Sequence, residues 1–184
     1  TYRANNQRTA ASTVSVAKTV KVIWTTQKSK SKSRTTAPVT AGGLVFVSGA
    51  DGAVRAIDAA SGATRWTSYT GAAVSYPPTV SDGRVFVGSG DGWAYAFEAA
   101  TGRLLWRFRG APIERRIPVY GQLMSTWPVA SGILVQDGLA YFAAGIICHD
   151  GTHVYAVDAA TGKLKWQNND AGNLLGADEA VGVS

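Results

Sequence analysis

The stretch Ala56-Ile57-Asp58-Ala59-Ala60-Ser61-Gly62-Ala63-Thr64-Arg65-Trp66 decides the fold, because it returns twice. It recurs as Ala96-Phe97-Glu98-Ala99-Ala100-Thr101-Gly102 leading to Trp106, and as Ala156-Val157-Asp158-Ala159-Ala160-Thr161-Gly162 leading to Trp166. The carboxylate, the paired alanines, the glycine and the tryptophan keep their relative places. The copies start 40 and then 60 residues apart, a period in the range of four-stranded propeller blades.

Working outward, each copy is preceded by a strand-like run: Leu44-Val45-Phe46-Val47, Arg84-Val85-Phe86-Val87 and Leu139-Ala140-Tyr141-Phe142. Each run follows a pair (Gly42-Gly43, Asp82-Gly83, Asp137-Gly138) suited to a two-residue hairpin whose central residues both take positive φ. Asp51-Gly52 and Asp91-Gly92 mark the next turn, and a third strand leads into the acidic turn and the strand carrying Trp. This spacing predicts four antiparallel strands per unit in meander order. In the acidic turn, Asp58, Glu98 and Asp158 can accept backbone N–H bonds, while Gly62, Gly102 and Gly162 can take the left-handed conformation. In Trp93-Ala94-Tyr95-Ala96-Phe97-Glu98, period-2 alternation separates an aromatic face from one that begins with alanines. A bulky face against a small face suits sheets packed about 10 Å apart.

The pattern Ala-x-Asp-x-x-x-Gly-x-x-x-Trp resembles the tryptophan-docking motif of the pyrroloquinoline quinone (PQQ)-like β-propeller repeat family. That family includes quinoprotein alcohol dehydrogenases and a lipoprotein of the outer-membrane protein assembly machinery. The resemblance implies that Trp66, Trp106 and Trp166, with Trp24 on an earlier segment, pack against the turn of a neighbouring blade, and that the alanines make room. Glu98 departs from the family's Asp and keeps the charge.

With 46% hydrophobic and 16% charged residues, 21 glycines and 6 tryptophans, the composition fits an all-β repeat protein and excludes global disorder. The expected fold is a β-propeller of four-stranded antiparallel blades. Propellers close with about four to eight blades, so three copies in 184 residues amount to about half of a seven- or eight-bladed ring. A small closed ring of about four blades is the alternative. There is no 18-residue apolar run and hence no membrane span. The start of the chain lacks the basic-then-apolar plan of a signal peptide, so any export signal lies upstream or has been removed. The single cysteine, Cys148, excludes an internal disulfide, a Cys-x-x-Cys-His haem attachment and the adjacent cysteine pair typical of quinoprotein dehydrogenases.

The expected layout is an N-terminal extension (1–19), an orphan outer strand with Trp24 that completes the last blade (20–27), and blade repeats at 38–70 and 78–110. An inter-blade loop (111–127), a third repeat with an insertion (128–170) and the approach to a next blade (171–184) follow. Lys28, Lys30, Lys32 and Arg34 alternate with serine and threonine. They read as a solvated loop, or as a salt-sensitive polyanion or polysaccharide site.

The loop at 111–127 draws the functional reading, because long loops in compact domains concentrate binding residues. It carries Arg115, Arg116, Tyr120, Gln122 and Trp127, and resembles the Pro-x-x-Arg-Arg…Tyr-Gly-Gln-Leu stretch of large bacterial members of the family. The arginines read either as an anion or partner site, or as clamps that pair with Glu114 or a neighbouring turn. The insertion holds Cys148, His149, Asp150 and His153, all metal-ligand types. A hairpin extension accounts for them better than a metal centre does.

Two functions compete at this point. The repeats devote their informative residues to packing and show no nucleophile, base and oxyanion-donor set. That favours a non-catalytic scaffold or binding module of an extracytoplasmic bacterial complex, periplasmic or extracellular. Its partners would be other protein chains or the remaining blades, with no specific nucleic acid. The alternative implied by the family is part of a quinoprotein oxidoreductase holding PQQ and Ca²⁺, with Trp127 stacking and Arg115 polarising a quinone oxygen.

Overall fold

The computed structural model describes residues 15, 18–26, 34–119, 121–145 and 151–171. Among them there are fourteen strands and no helix. The first blade comprises β1 (Val39–Ala41), β2 (Leu44–Ser48), β3 (Ala53–Asp58) and β4 (Thr64–Tyr69). The second comprises β5 (Thr79–Ser81), β6 (Arg84–Gly88), β7 (Trp93–Glu98) and β8 (Leu104–Arg109). A two-stranded hairpin, β9 (Arg116–Val119) and β10 (Gln122–Ser125), precedes the third blade. That blade comprises β11 (Leu134–Gln136), β12 (Leu139–Ala144), β13 (Thr152–Asp158) and β14 (Leu164–Ala171). Each blade is a four-stranded antiparallel meander, and the described blades leave the ring unclosed.

Local sequence explains the registers. Ala41 pairs with Leu44, Ser81 with Arg84 and Gln136 with Leu139, so each first hairpin has a two-residue loop. Its central residues are left-handed even where they are aspartates: Asp82 has φ 47° and Asp137 φ 51°. Both positions of a type I′ turn require this, and Asp tolerates it better than bulkier residues do. Meander topology then places the first hairpin and the acidic turn of every blade on one face of the array. The β2–β3 type turns and the inter-blade links lie on the other.

Packing between blades follows the alternation. The aromatic face of β7, with Tyr95 and Phe97, joins Val85 and Val87 against Phe46, Val54, Ala56 and Trp66 of the first blade. The alanine face, Ala94 and Ala96, lies with Phe86 and Trp106 against Phe142, Tyr155 and Val157 of the third. Each outer strand carries a β-bulge at the residue before its Trp, because Ala56, Ala96 and Ala156 pair with the tryptophans while the next residue pairs two positions back. The extra residue re-aims the strand at that point.

The tryptophans then reach across. Trp66 Nε1 donates to the Ala99 carbonyl at 2.9 Å, and Trp106 Nε1 to that of Ala159 at 3.0 Å. A Cβ built on Gly102 would stand 2.6 Å from the Trp66 ring, and one on Gly162 2.7 Å from the Trp106 ring. Both glycines also have φ above +70°. No other residue satisfies the conformation and the clearance together.

Two tryptophans depart from this pattern. Trp24 makes the same contacts with the first blade, donating to the Ala59 carbonyl at 2.9 Å and lying on Gly62. Residues 20–26 have no ladder partner among the described residues. Trp166 is 51% exposed against 9% for Trp66 and 8% for Trp106. It faces no further blade among the described residues. Residues 1–14, 16 and 17, the lysines at 28, 30 and 32, and residues 172–184 lie outside the described residues.

The acidic turns fasten the same corner. Asp58 Oδ1 accepts from Ser61 N at 2.9 Å and Asp158 Oδ1 from Thr161 N at 2.9 Å. Glu98, one methylene longer, is held instead by the Thr101 hydroxyl and by Arg103 Nη2 at 3.4 Å. All three carboxyl groups are pushed below their ordinary range. The Ser61 backbone N–H acts first at Asp58, the Thr101 hydroxyl at Glu98 and the Thr161 hydroxyl at Asp158.

Groups whose folded pKa is depressed contribute stability above their unfolded pKa, near 4, and that contribution is lost as pH falls through the depressed values. Thermal unfolding followed from pH 6 to pH 2 is therefore expected to show a falling Tm below about pH 4, with a smaller fall in a Thr161→Ala variant. Trp106→Ala is expected to cost about 3–5 kcal/mol in denaturant titrations. Arg107, which is exposed and lies 4.5 Å over the Trp93 ring, is expected to cost on the order of 0.5–1 kcal/mol when changed to Ala.

Candidate functional site

The link between the second and third blades is built from the chain upward by main-chain bonds to the turn at Ser89–Gly92. Gly110 N donates to Gly92 O at 2.9 Å, Ser125 N to Gly90 O at 2.7 Å and Val129 N to Ser89 O at 3.0 Å. Between these anchor points, Arg116–Val119 and Gln122–Ser125 pair as the β9–β10 hairpin, with Gly121 at positive φ between them. The link between the blades therefore carries a two-stranded β-hairpin among its described residues. Pro118 inside β9 hides that strand from a reading by pattern, since proline normally argues against a strand interior.

Arg115 lies with its guanidinium 4.7 Å from the Trp127 ring centroid, and its Nε donates to Thr126 Oγ1 at 3.2 Å. The Thr126 amide returns a bond to Arg115 O at 3.2 Å. Trp127 itself is 6% exposed, and its amide is held by Ser125 Oγ at 3.1 Å. Arg116 pairs with Glu114 at 3.1 Å. Gln122 is exposed on β10, and Tyr120 lies outside the described residues. The structure thus joins Arg115 and Trp127 through a cation–π contact, and places Arg116 apart from them on Glu114.

Of the metal-ligand candidates, Cys148, His149 and Asp150 lie outside the described residues. His153 is the second residue of β13, with Nδ1 3.1 Å from Asn169 Oδ1 and its ring 6.3 Å from Trp127. Its Nε2 is buried and has no hydrogen-bond partner among the described residues. Among the described residues no group of three or more His, Cys, Asp or Glu side chains converges. Arg34, the described member of the basic strip, is exposed, and its carbonyl accepts from Ala50 N at 3.0 Å.

One polar cluster escaped the reading of the sequence. Asp91 is buried, and its Oδ2 accepts from the Gly71 amide at 2.8 Å and the Tyr95 hydroxyl at 2.5 Å. Its Oδ1 accepts from Trp93 N at 3.0 Å. Burial, reinforced by the Asp91 carboxylate, pushes the Tyr95 phenol up. A carboxylate with three donors is a satisfied structural group, and it ties the link after the first blade to the second. The third blade ties the next link differently, with Tyr155 OH donating to Gly110 O at 2.9 Å. The signal in the sequence is Tyr four residues after Asp-Gly, but the partner glycine lies 20 residues upstream and no local pattern announces it.

Comparison with known proteins bears on this architecture. The family model described as outer membrane protein assembly factor BamB matches residues 10–169. No curated protein matches. Among solved structures, the quinohemoprotein alcohol dehydrogenase ADH IIG of Pseudomonas putida HK5 is 25% identical, with a TM-score of 0.60 over 71% of this chain and 19% of that one. BamB of Moraxella catarrhalis is 20% identical, with a TM-score of 0.51 over 70% of this chain and 34% of its own, which is a likeness of fold. The computationally designed Ika4 protein is 16% identical, with a TM-score of 0.58 over 84% of this chain and 82% of its own. The chain therefore spans about a fifth of the dehydrogenase and a third of that BamB. A model matched over most of the repeats, together with three four-stranded antiparallel blades, shows that the chain belongs to the PQQ-like, BamB-type β-propeller family.

Proposed function

We propose that this chain serves as a non-catalytic propeller scaffold or binding module in an extracytoplasmic bacterial complex, meeting other protein chains or further blades. The observation that carries this is the use of the repeated residues. Trp66 and Trp106, with Gly102 and Gly162, all serve blade-to-blade contacts. Arg115, Arg116 and Trp127, the residues of the one long link, are engaged in holding that link together. The match to the assembly-factor model supports an extracytoplasmic setting. The half-exposed Trp166 supports a further blade or partner on the outward face of the third sheet. No described helix is long and apolar enough to cross a membrane.

The 25% identity to a quinohemoprotein alcohol dehydrogenase favours a second reading, in which the chain forms part of a PQQ- and Ca²⁺-dependent enzyme. The residues proposed for that role do not fit a quinone. Trp127 is buried with a guanidinium over its ring, and Arg115 Nε is directed at Thr126. A titration of the chain with PQQ and Ca²⁺ is expected to give no saturable change in quinone absorbance and no alcohol-dependent dye reduction. Saturable binding with dehydrogenase turnover would contradict the scaffold reading.

A further inference from the structure

Between the first and second blades, on the face carrying the first hairpins, lies an open slot of about 400 Å³. Leu44, Phe46 and Val80 form its apolar walls, and Gly42, Ser81 and Asp82 stand at its polar end. The repeat supplies an internal comparison. Register makes Leu44 the counterpart of Arg84, since Ala41–Leu44 and Ser81–Arg84 close the same hairpin in successive blades. Arg84 lies on the same strand face as Phe86, whose ring joins the core between the second and third blades. Arg84 therefore enters the space corresponding to the slot, one interface further on. There its Nε is buried and its Nη1 donates to the Asp82 carbonyl at 3.0 Å.

We infer that the slot between the first two blades takes a guanidinium-bearing side chain from a partner protein. The chain fills the next such space with its own Arg84 and leaves this one open because Leu44 is too short and apolar to do the same. An arginine stem would lie along Leu44, Phe46 and Val80, as long cationic side chains do on apolar surface. Its head would meet the Asp82 carboxylate, the Ser81 hydroxyl and the Gly42 carbonyl, the counterpart of the carbonyl that Arg84 uses. Arginine suits this better than lysine, because its planar fork reaches several acceptors at once. The inference stands independently of the scaffold reading, since it concerns one side-chain site and not the role of the whole chain.

The test is an amide-resolved NMR titration of the 184-residue chain with Nα-acetyl-arginine-N-methylamide, with the norleucine analogue as neutral comparator. The expected result is saturable shifts confined to amides around Leu44, Val80 and Gly83, with the norleucine compound at least about fivefold weaker. Leu44→Arg, which would fill the slot from within, is expected to abolish them. Asp82→Asn, which keeps a residue tolerant of the left-handed turn, is expected to weaken binding about fivefold or more, so the proposal stays testable if Leu44→Arg fails to fold. No saturable shifts, equal shifts with the norleucine compound, or arginine shifts unchanged in Asp82→Asn would overturn it.

Discussion

The structure depends on an indole laid over a glycine that belongs to the next sheet. Each four-stranded blade is a thin, two-faced sheet, and such a sheet gains stability only by covering both faces. Faces that merely match in hydrophobicity could slide. The tryptophan prevents this by combining a directional N–H bond to an alanine carbonyl with a close approach that only a side-chain-free residue permits. Orientation and spacing of neighbouring blades are thereby fixed at this corner, alongside the shared cores and the Asp91 and Tyr155 ties. The bulge before each Trp and the carboxylate that organises each turn hold the two halves of that contact in place.

Much of this was legible in the chain because the contact is repeated and its partners sit at fixed offsets. Three copies of a turn with one glycine and one tryptophan showed the blades, and Asp82-Gly83 and Asp137-Gly138 showed hairpins that the backbone angles bear out. The alternation in β7 showed a bulky face and a small face, and the structure sets them against the first and third blades. What stayed illegible depends on single occurrences or on residues far apart. The hairpin at 116–125 occurs once and contains a proline. The Asp91–Tyr95–Gly71 lock joins residues from two blades. The slot beside Leu44 becomes visible only when aligned strands are compared in space.

The candidate site shows the same limit from the functional side. Adjacent arginines in a long link suggest an anion site when read in one dimension. In three dimensions Arg115 lies over Trp127 and Arg116 meets Glu114, so each arginine has a contact inside the link that the linear sequence does not display. The members of the family differ in what they add to a shared framework, and a propeller fold by itself assigns no chemistry. Among the described residues, Trp166 is half exposed and the slot beside Leu44 is open.

The indole–glycine contact is tested most directly by a double-mutant cycle on Trp66 and Gly102, read by denaturant unfolding. If the two residues act through each other, Gly102→Ala is strongly destabilising in the native background. In a Trp66→Ala background it costs only the strain of a left-handed alanine, so the coupling energy is about 1 kcal/mol or more. Additive effects, with Gly102→Ala equally costly whether or not the indole is present, would contradict the claim that this contact joins one blade to the next.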